Sequence, residues 1–212
     1  MKIEELRLPA QPRGRVTVLF DDGTRLRLVA SVAAEQGLYT GQELDEQDMK
    51  ALRAAGGRAS ARERAVRIIS ASAVTKDDLY ARLVHKGESE DDAADAVQWL
   101  TELRLLDDAQ VAQQTVQRGV SRGYGRRRIE QMLYEKRVPK EYWQDALAQI
   151  PAMDGEIDRF LQQRLQGRDP DQKELKRTVD ALARRGYGWP EIQAGLRRYS
   201  DVLEETGNIS ED

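Results

Sequence analysis

The sequence predicts a mainly α protein: three tandem three-helix repeats forming an elongated, curved body, behind a small N-terminal α/β extension that contains a β-hairpin. Three observations predict it. Strand-like alternation is confined to residues 16 to 29, helix-start signals take over from Ser60 onward, and one pattern of helix ends recurs at even spacing along the rest of the 212-residue chain.

In the stretch VTVLFDDGTRLRLV, apolar and polar residues alternate on both sides of Asp22-Gly23, a dipeptide suited to the positive φ angles of a type I′ turn. Val16, Val18 and Phe20 then share one face, with Leu26 and Leu28 as cross-strand partners. Short helices are expected over 31–37 and 45–55, around Gly37 and Gly41, and AAGGRAS at 54–60 reads as a linker. A lone hairpin is marginal in water, so this unit should pack on something larger.

Ser60 with Glu63 has the spacing of a capping box, as do Thr75 with Asp78 and Ser89 with Asp92. Asp107 and Asp108 follow Leu105-Leu106 and read as acidic caps of the next helix rather than as paired catalytic carboxylates. Pro139, Pro170 and Pro190 each sit where a first helical turn tolerates a missing N–H. Trp143, Ala146, Leu147 and Ile150 fall on one helical face.

The repeat emerges when three helix ends are superposed: RLVHKG ending at Gly87, MLYEKR at Arg137 and ALARRG at Gly186, with spacings of 50 and 49 residues. Leu83, Leu133 or Leu182 comes four residues before each marker. Ala93, Trp143 or Ile192 follows six after it, and Val97, Leu147 or Leu196 ten after it. Each period has room for three helices of about 12 residues. The expected partition is a hairpin-plus-helices unit over 1–58, three-helix repeats over 61–105, 106–151 and 152–200, and an acidic tail over 201–212.

Composition narrows the function classes. The chain has no cysteine, hence no disulfide, thiolate nucleophile or cysteine metal site, and His85 is its one histidine. At a helix end beside Lys86-Gly87, His85 suits a capping role. Walker A, dinucleotide, nucleophile-elbow and zinc motifs are absent from the sequence. The reading is a non-enzyme with no catalytic residues, metal or cofactor. The first residues lack a basic stretch followed by an apolar core, and no apolar run approaches the roughly 18 residues of a membrane span. A cytoplasmic protein with no membrane association is expected.

Net charge is −3, yet residues 118 to 140 carry Arg118, Arg122, Arg126, Arg127, Arg128, Lys136, Arg137 and Lys140 against only Glu130 and Glu135. Acidic residues cluster at 43–48, 88–95 and in the tail. Gly123, Tyr124 and Gly125 precede the three consecutive arginines at what reads as a helix start. There, exposed backbone N–H groups and guanidiniums would suit a phosphate or a carboxylate. The plainer reading is a tight turn followed by a solvated face, with Arg126 and Glu130 as an i,i+4 pair. Cations at a helix N-terminus oppose the dipole, which favours a compensating anion from a partner. Arg184 and Arg185, with Arg197 and Arg198, form a second positive strip. Trp99 and Trp143 are core candidates; Trp189, before Pro190, is ambiguous.

The segments LLDDAQVA (105–112), RGVSRGYGRRRIEQMLYEKRV and WQDAL together resemble the central repeat of the RecX regulatory protein family. AVRIISASAVTKDDLYARLVHKG with AVQWLTELRLLDD is similar to that family's first repeat, and KELKRTVDALARRGYGWPEIQAGL to its third. The resemblance covers residues 60 to 200, and the N-terminal unit resembles an extension that some members carry. It implies binding along the deep groove of the RecA filament, restraining filament growth, strand exchange, ATP hydrolysis and stimulated self-cleavage of the SOS repressor, in DNA repair. A monomer is expected, and the charge pattern makes Arg118, Arg122, Gly123, Tyr124, Gly125, Arg126, Arg127, Arg128, Lys136, Arg137, Lys140, Arg184 and Arg185 the candidates for contact with RecA or DNA. The overall charge argues for weak, salt-sensitive DNA binding secondary to protein binding. A stand-alone nucleic-acid binder with helical repeats and a generic helical scaffold are the alternatives. One departure stands out: the family's Lys-Gly helix ending is Lys136-Arg137 in the second repeat.

Overall fold

The structure, a computed structural model, describes residues 1–9 and 14–208, and the chain divides between Leu106 and Asp107 into two compact units. In the first unit three antiparallel strands, β1 (Ile3–Arg7), β2 (Arg15–Phe20) and β3 (Arg25–Val29), form a sheet in that order. The hairpin register sets Val16 opposite Leu28 and Val18 opposite Leu26. Val16, Val18, Phe20 and Leu28 are all buried, as the alternation requires.

The hairpin turn differs from the expected type I′. The Gly23 N–H donates to Phe20 O at 2.9 Å, and Gly23 alone of the Asp22-Gly23 pair takes positive φ, 82°. That is a three-residue loop with a left-handed glycine. Asp22 stabilises it by accepting from the Thr24 N–H and hydroxyl, each at 2.9 Å. Strand β1 is an addition to the expected hairpin. Its charged IEELR sequence and a register irregularity between Ile3 and Glu5 hide the alternation.

The linker expected at 54–60 is helix. After α1 (Ala30–Glu35), a single helix α2 runs from Glu46 to Ala71, capped by reciprocal Asp45 and Asp48 bonds. Ser60 therefore lies inside a helix rather than at its start, and the boundary expected between residues 58 and 61 dissolves. Gly56 and Gly57 are there for space. A Cβ on Gly56 would stand 2.5 Å from Leu28 Cδ2, and one on Gly57 would overlap the Asp92 carboxylate. Helix α2 thus serves two cores: Met49 and Leu52 close the sheet, while Ala61 and Ala65 pack with α3 (Lys76–His85) and α4 (Glu90–Glu102). A polar chain ties the halves together. Arg15 donates to Ser60 Oγ at 2.8 Å, and both Ser60 (3.1 Å) and Arg64 (2.5 Å) donate to Glu88.

The second unit holds two helical trios. The first comprises α5 (Asp108–Ser121), α6 (Arg126–Glu135), and a 3₁₀ turn Lys140–Tyr142 leading into the short α7 (Trp143–Leu147). The second comprises α8 (Asp154–Leu165), α9 (Gln172–Arg184) and α10 (Trp189–Asn208). Val120 and Ile150 pack against the cores of both trios. The expected tail at 201–212 is therefore helix α10 as far as Asn208, and 209–212 lie outside the described residues. Pro190 falls in the first turn of α10, whereas Pro139 precedes the 3₁₀ turn and Pro170 precedes the N-cap Asp171. Thr75, Ser89 and Asp107 do cap, each accepting from the N–H three residues on.

The three marker positions share one backbone closure. The N–H groups of Glu88, Val138 and Tyr187 reach back to the carbonyls of Leu83, Leu133 and Leu182, at 3.2, 3.0 and 3.3 Å. Gly87, Arg137 and Gly186 sit in left-handed conformation at φ 90°, 53° and 92°. The turn that a glycine would make is thus made by Arg137 itself, at a cost of about 1–2 kcal/mol for an L side chain.

Candidate partner-binding site

The basic stretch begins where α5 stops. Gly123 takes φ 66°, and the Tyr124 N–H returns to Gly119 O at 3.0 Å, which turns the chain sharply. Gly125 then acts as the N-cap of α6, without a side-chain cap. The amides expected to be open to an anion are used inside the unit: the Gly125 N–H donates to Arg185 O at 2.8 Å and the Arg127 N–H to Gly186 O at 3.2 Å. The partner segment Arg185-Gly186-Tyr187-Gly188 repeats the tetrapeptide Arg122-Gly123-Tyr124-Gly125, and the two turns pack against each other.

One glycine of each turn, Gly125 and Gly186, owes its identity to that seam. A Cβ on Gly125 would lie 2.6 Å from the Gly186 and Tyr187 backbone, and one on Gly186 would overlap the Arg128 backbone. Tyr187 is buried and donates its hydroxyl to Gly123 O at 3.0 Å. Burial, helped by the Glu156 carboxylate, pushes its pKa up to about 12. The protonated phenol therefore contributes stability in full below pH about 10, the unfolded value, and loses it as pH rises towards 12. Tyr187→Phe is expected to cost about 1–2 kcal/mol at pH 7, because Gly123 O loses its donor, and to flatten the fall in stability between pH 10 and 12. Melting curves at neutral and alkaline pH read both effects.

With the Gly125 and Arg127 amides committed, the site consists mainly of side chains. Arg118 and Arg122 are exposed at the end of α5, four residues apart and so on one face. Arg126 and Arg127 are exposed at the start of α6, and Arg128 is half-buried. Two of these have intramolecular carboxylates: Arg126 meets Glu130 at 2.9 Å and Arg128 meets Glu135 at 3.1 Å. Arg127 faces solvent with no ion pair to a described carboxylate. Tyr134, seven residues on, is 73% exposed, whereas Tyr124 packs half-buried on the trio's core. Lys136, Arg137 and Lys140 lie at the far end of α6, about 15 Å along its axis.

The second strip divides. Arg184 and Arg197 are exposed. Arg198 is held by Asp158 at 2.7 Å and Asp154 at 3.4 Å, and the hydrogen bond to Asp158 raises its pKa. Arg185 lies with its guanidinium 4.7 Å from the centre of the Phe160 ring. Gly123 and Gly125 are buried, so they shape the site from beneath. Trp189 is 55% exposed. Trp143 is half-buried and donates its indole N–H to Val138 O at 2.9 Å. His85 closes α3, as its sequence position suggests. Sequence reasoning missed Glu156, Arg159 and Phe160 on α8, which have no motif. It also passed over the second RGYG, which was legible as a repeated string.

A family model described as RecX, second three-helix domain, matches residues 107–147, the stretch from the cap of α5 to the end of α7. The chain is 32% identical over 139 residues to a regulatory protein RecX of Vibrio campbellii, covering 65% of this chain and 90% of that protein. It is 34% identical over 138 residues to a regulatory protein RecX of Mycolicibacterium vanbaalenii, covering 60% of this chain and 75% of the relative. A crystal structure of a regulatory protein RecX superposes with a TM-score of 0.63 at 21% identity, covering 91% of this chain and 97% of the other. That likeness is one of fold.

Proposed function

This chain belongs to the RecX family of regulatory proteins, and from that premise we infer that it binds the RecA recombinase and restrains its DNA-dependent activities. Filament growth, ATP hydrolysis, strand exchange and stimulated self-cleavage of the SOS repressor are the activities affected, and RecA is a cytoplasmic target. One observation carries the reading to a place on the molecule. The family model falls on the trio that also carries the basic stretch, 118–140, of an otherwise slightly acidic chain. A monomer docks in the filament groove, the solvent-facing arginines of α6 meeting acidic RecA surface, with DNA as a weaker second contact along α5. Several trios engaging neighbouring subunits give avidity from individually modest contacts.

Sedimentation tests it. RecA filaments assembled on single-stranded DNA are pelleted with the protein at physiological salt, beside DNA alone. The protein is expected in the filament pellet at concentrations that leave it unbound to free DNA. Equal partition onto bare DNA would move the function to stand-alone nucleic-acid binding.

A further inference from the structure

Beside the seam, the end of α5, the face of α8 and the end of α9 enclose a small cavity of about 180 Å³, lined by Arg122, Gly123, Glu156, Arg159, Phe160 and Arg185 among others. Three guanidiniums and one carboxylate line it. Glu156 is engaged by Arg159, whose Nη1 donates to both its oxygens at 3.0 and 3.3 Å. The other two arginines have no carboxylate partner among the described residues. Arg185 is fixed by stacking on Phe160 at 4.7 Å, which orients its N–H edge without using it. The volume falls below the few hundred Å³ of sites for drug-sized ligands, which suits a single oxyanion group.

We propose that this pocket holds one backbone phosphate of single-stranded DNA, clamped between Arg122 and Arg185. A fork of guanidinium donors fits phosphate oxygens bidentately. An isolated carboxylate of a protein partner would need only the pocket. Here the exposed Arg118, one turn before Arg122 on the same face, extends the positive charge out of the pocket along α5, as a chain of successive phosphates requires. Glu156 limits the affinity by its charge at the wall, which makes the contact weak and salt-sensitive. The inference needs no RecA and stands or falls apart from the RecA reading.

The test is fluorescence anisotropy of a labelled oligothymidylate with the full chain alone, across a salt series. Arg122→Gln combined with Arg185→Gln is expected to weaken binding about tenfold and to make the log–log salt slope shallower by about 0.7, the loss of one phosphate. Arg122→Gln alone, at an exposed position, should give about threefold should the double variant be unstable. Glu156→Gln should tighten binding about threefold, an opposite sign that general unfolding cannot mimic. Arg164→Gln, on α8 outside the pocket, should change nothing. Unchanged binding by both arginine variants overturns the proposal. So does a shift of arginine side-chain NMR signals by inorganic phosphate that the oligonucleotide fails to reproduce, which would leave a pocket for a free anion.

Discussion

Gly186→Ala is expected to destabilise the second unit by about 4 kcal/mol. Two separate costs add. At φ 92° an alanine is forced into the left-handed region, worth about 1–2 kcal/mol. Its methyl group would also overlap the backbone of Arg128, which is not a flexible side chain that can swing away; overpacking of that kind costs about 1–3 kcal/mol. Gly87→Ala is the internal control. It has φ 90° and the same closure, but open space where the Cβ would go, so only the first cost of about 1–2 kcal/mol applies. Equal losses for the two variants in urea titrations would show that the seam between the RGYG turns is not tight.

Reversing Arg126, Arg127 and Arg128 together to glutamate is expected to weaken inhibition of RecA at least tenfold while leaving helical content unchanged. Fold and function separate here for an electrostatic reason. Acidic residues at a helix N-terminus favour the dipole, so the reversal relieves one unfavourable placement even as it sets like charges beside Glu130 and Glu135. Most of the functional loss should reproduce in Arg127→Glu alone, since Arg126 and Arg128 are already partly neutralised by carboxylates at 2.9 and 3.1 Å. Circular dichroism with an inhibition titration reads both halves. Full inhibition by the triple variant would remove α6 from the RecA contact.

The three helix-end markers were legible because each combines a backbone requirement with a packing requirement. Gly87, Arg137 and Gly186 turn the chain, and Leu83, Leu133 and Leu182, four residues earlier, are fully buried. Arg137 shows that conformation, not residue type, is what repeats. The misread helix α2 failed for the converse reason. Gly56 and Gly57 look like a breaker, but their missing side chains make room for Leu28 and Asp92, residues far away in sequence whose approach no local pattern announces. Ser60 similarly has the spacing of a cap and instead bridges Arg15 and Glu88.

The basic stretch was legible as charge and illegible as geometry. Arginine counts showed where positive residues concentrate, and the i,i+4 pairing of Arg126 with Glu130 followed from spacing. That Gly125 and Arg127 would spend their amides on Arg185 and Gly186 did not follow. The second RGYG occupies a different joint of its trio, after the second helix and not the first, so a repeat alignment steps over it. Without that pairing the glycines read as an anion cradle; with it they are a close-packed backbone joint, and anion binding passes to side chains.

The most direct test of the central claim is single-stranded-DNA-dependent ATP hydrolysis by the cognate RecA, with this protein titrated in at physiological salt and its binding to the same DNA measured in parallel. Inhibition is expected at concentrations far below those that coat the free DNA, because the target is the filament. Hydrolysis that falls only as the DNA becomes saturated, or does not fall at all, would contradict it.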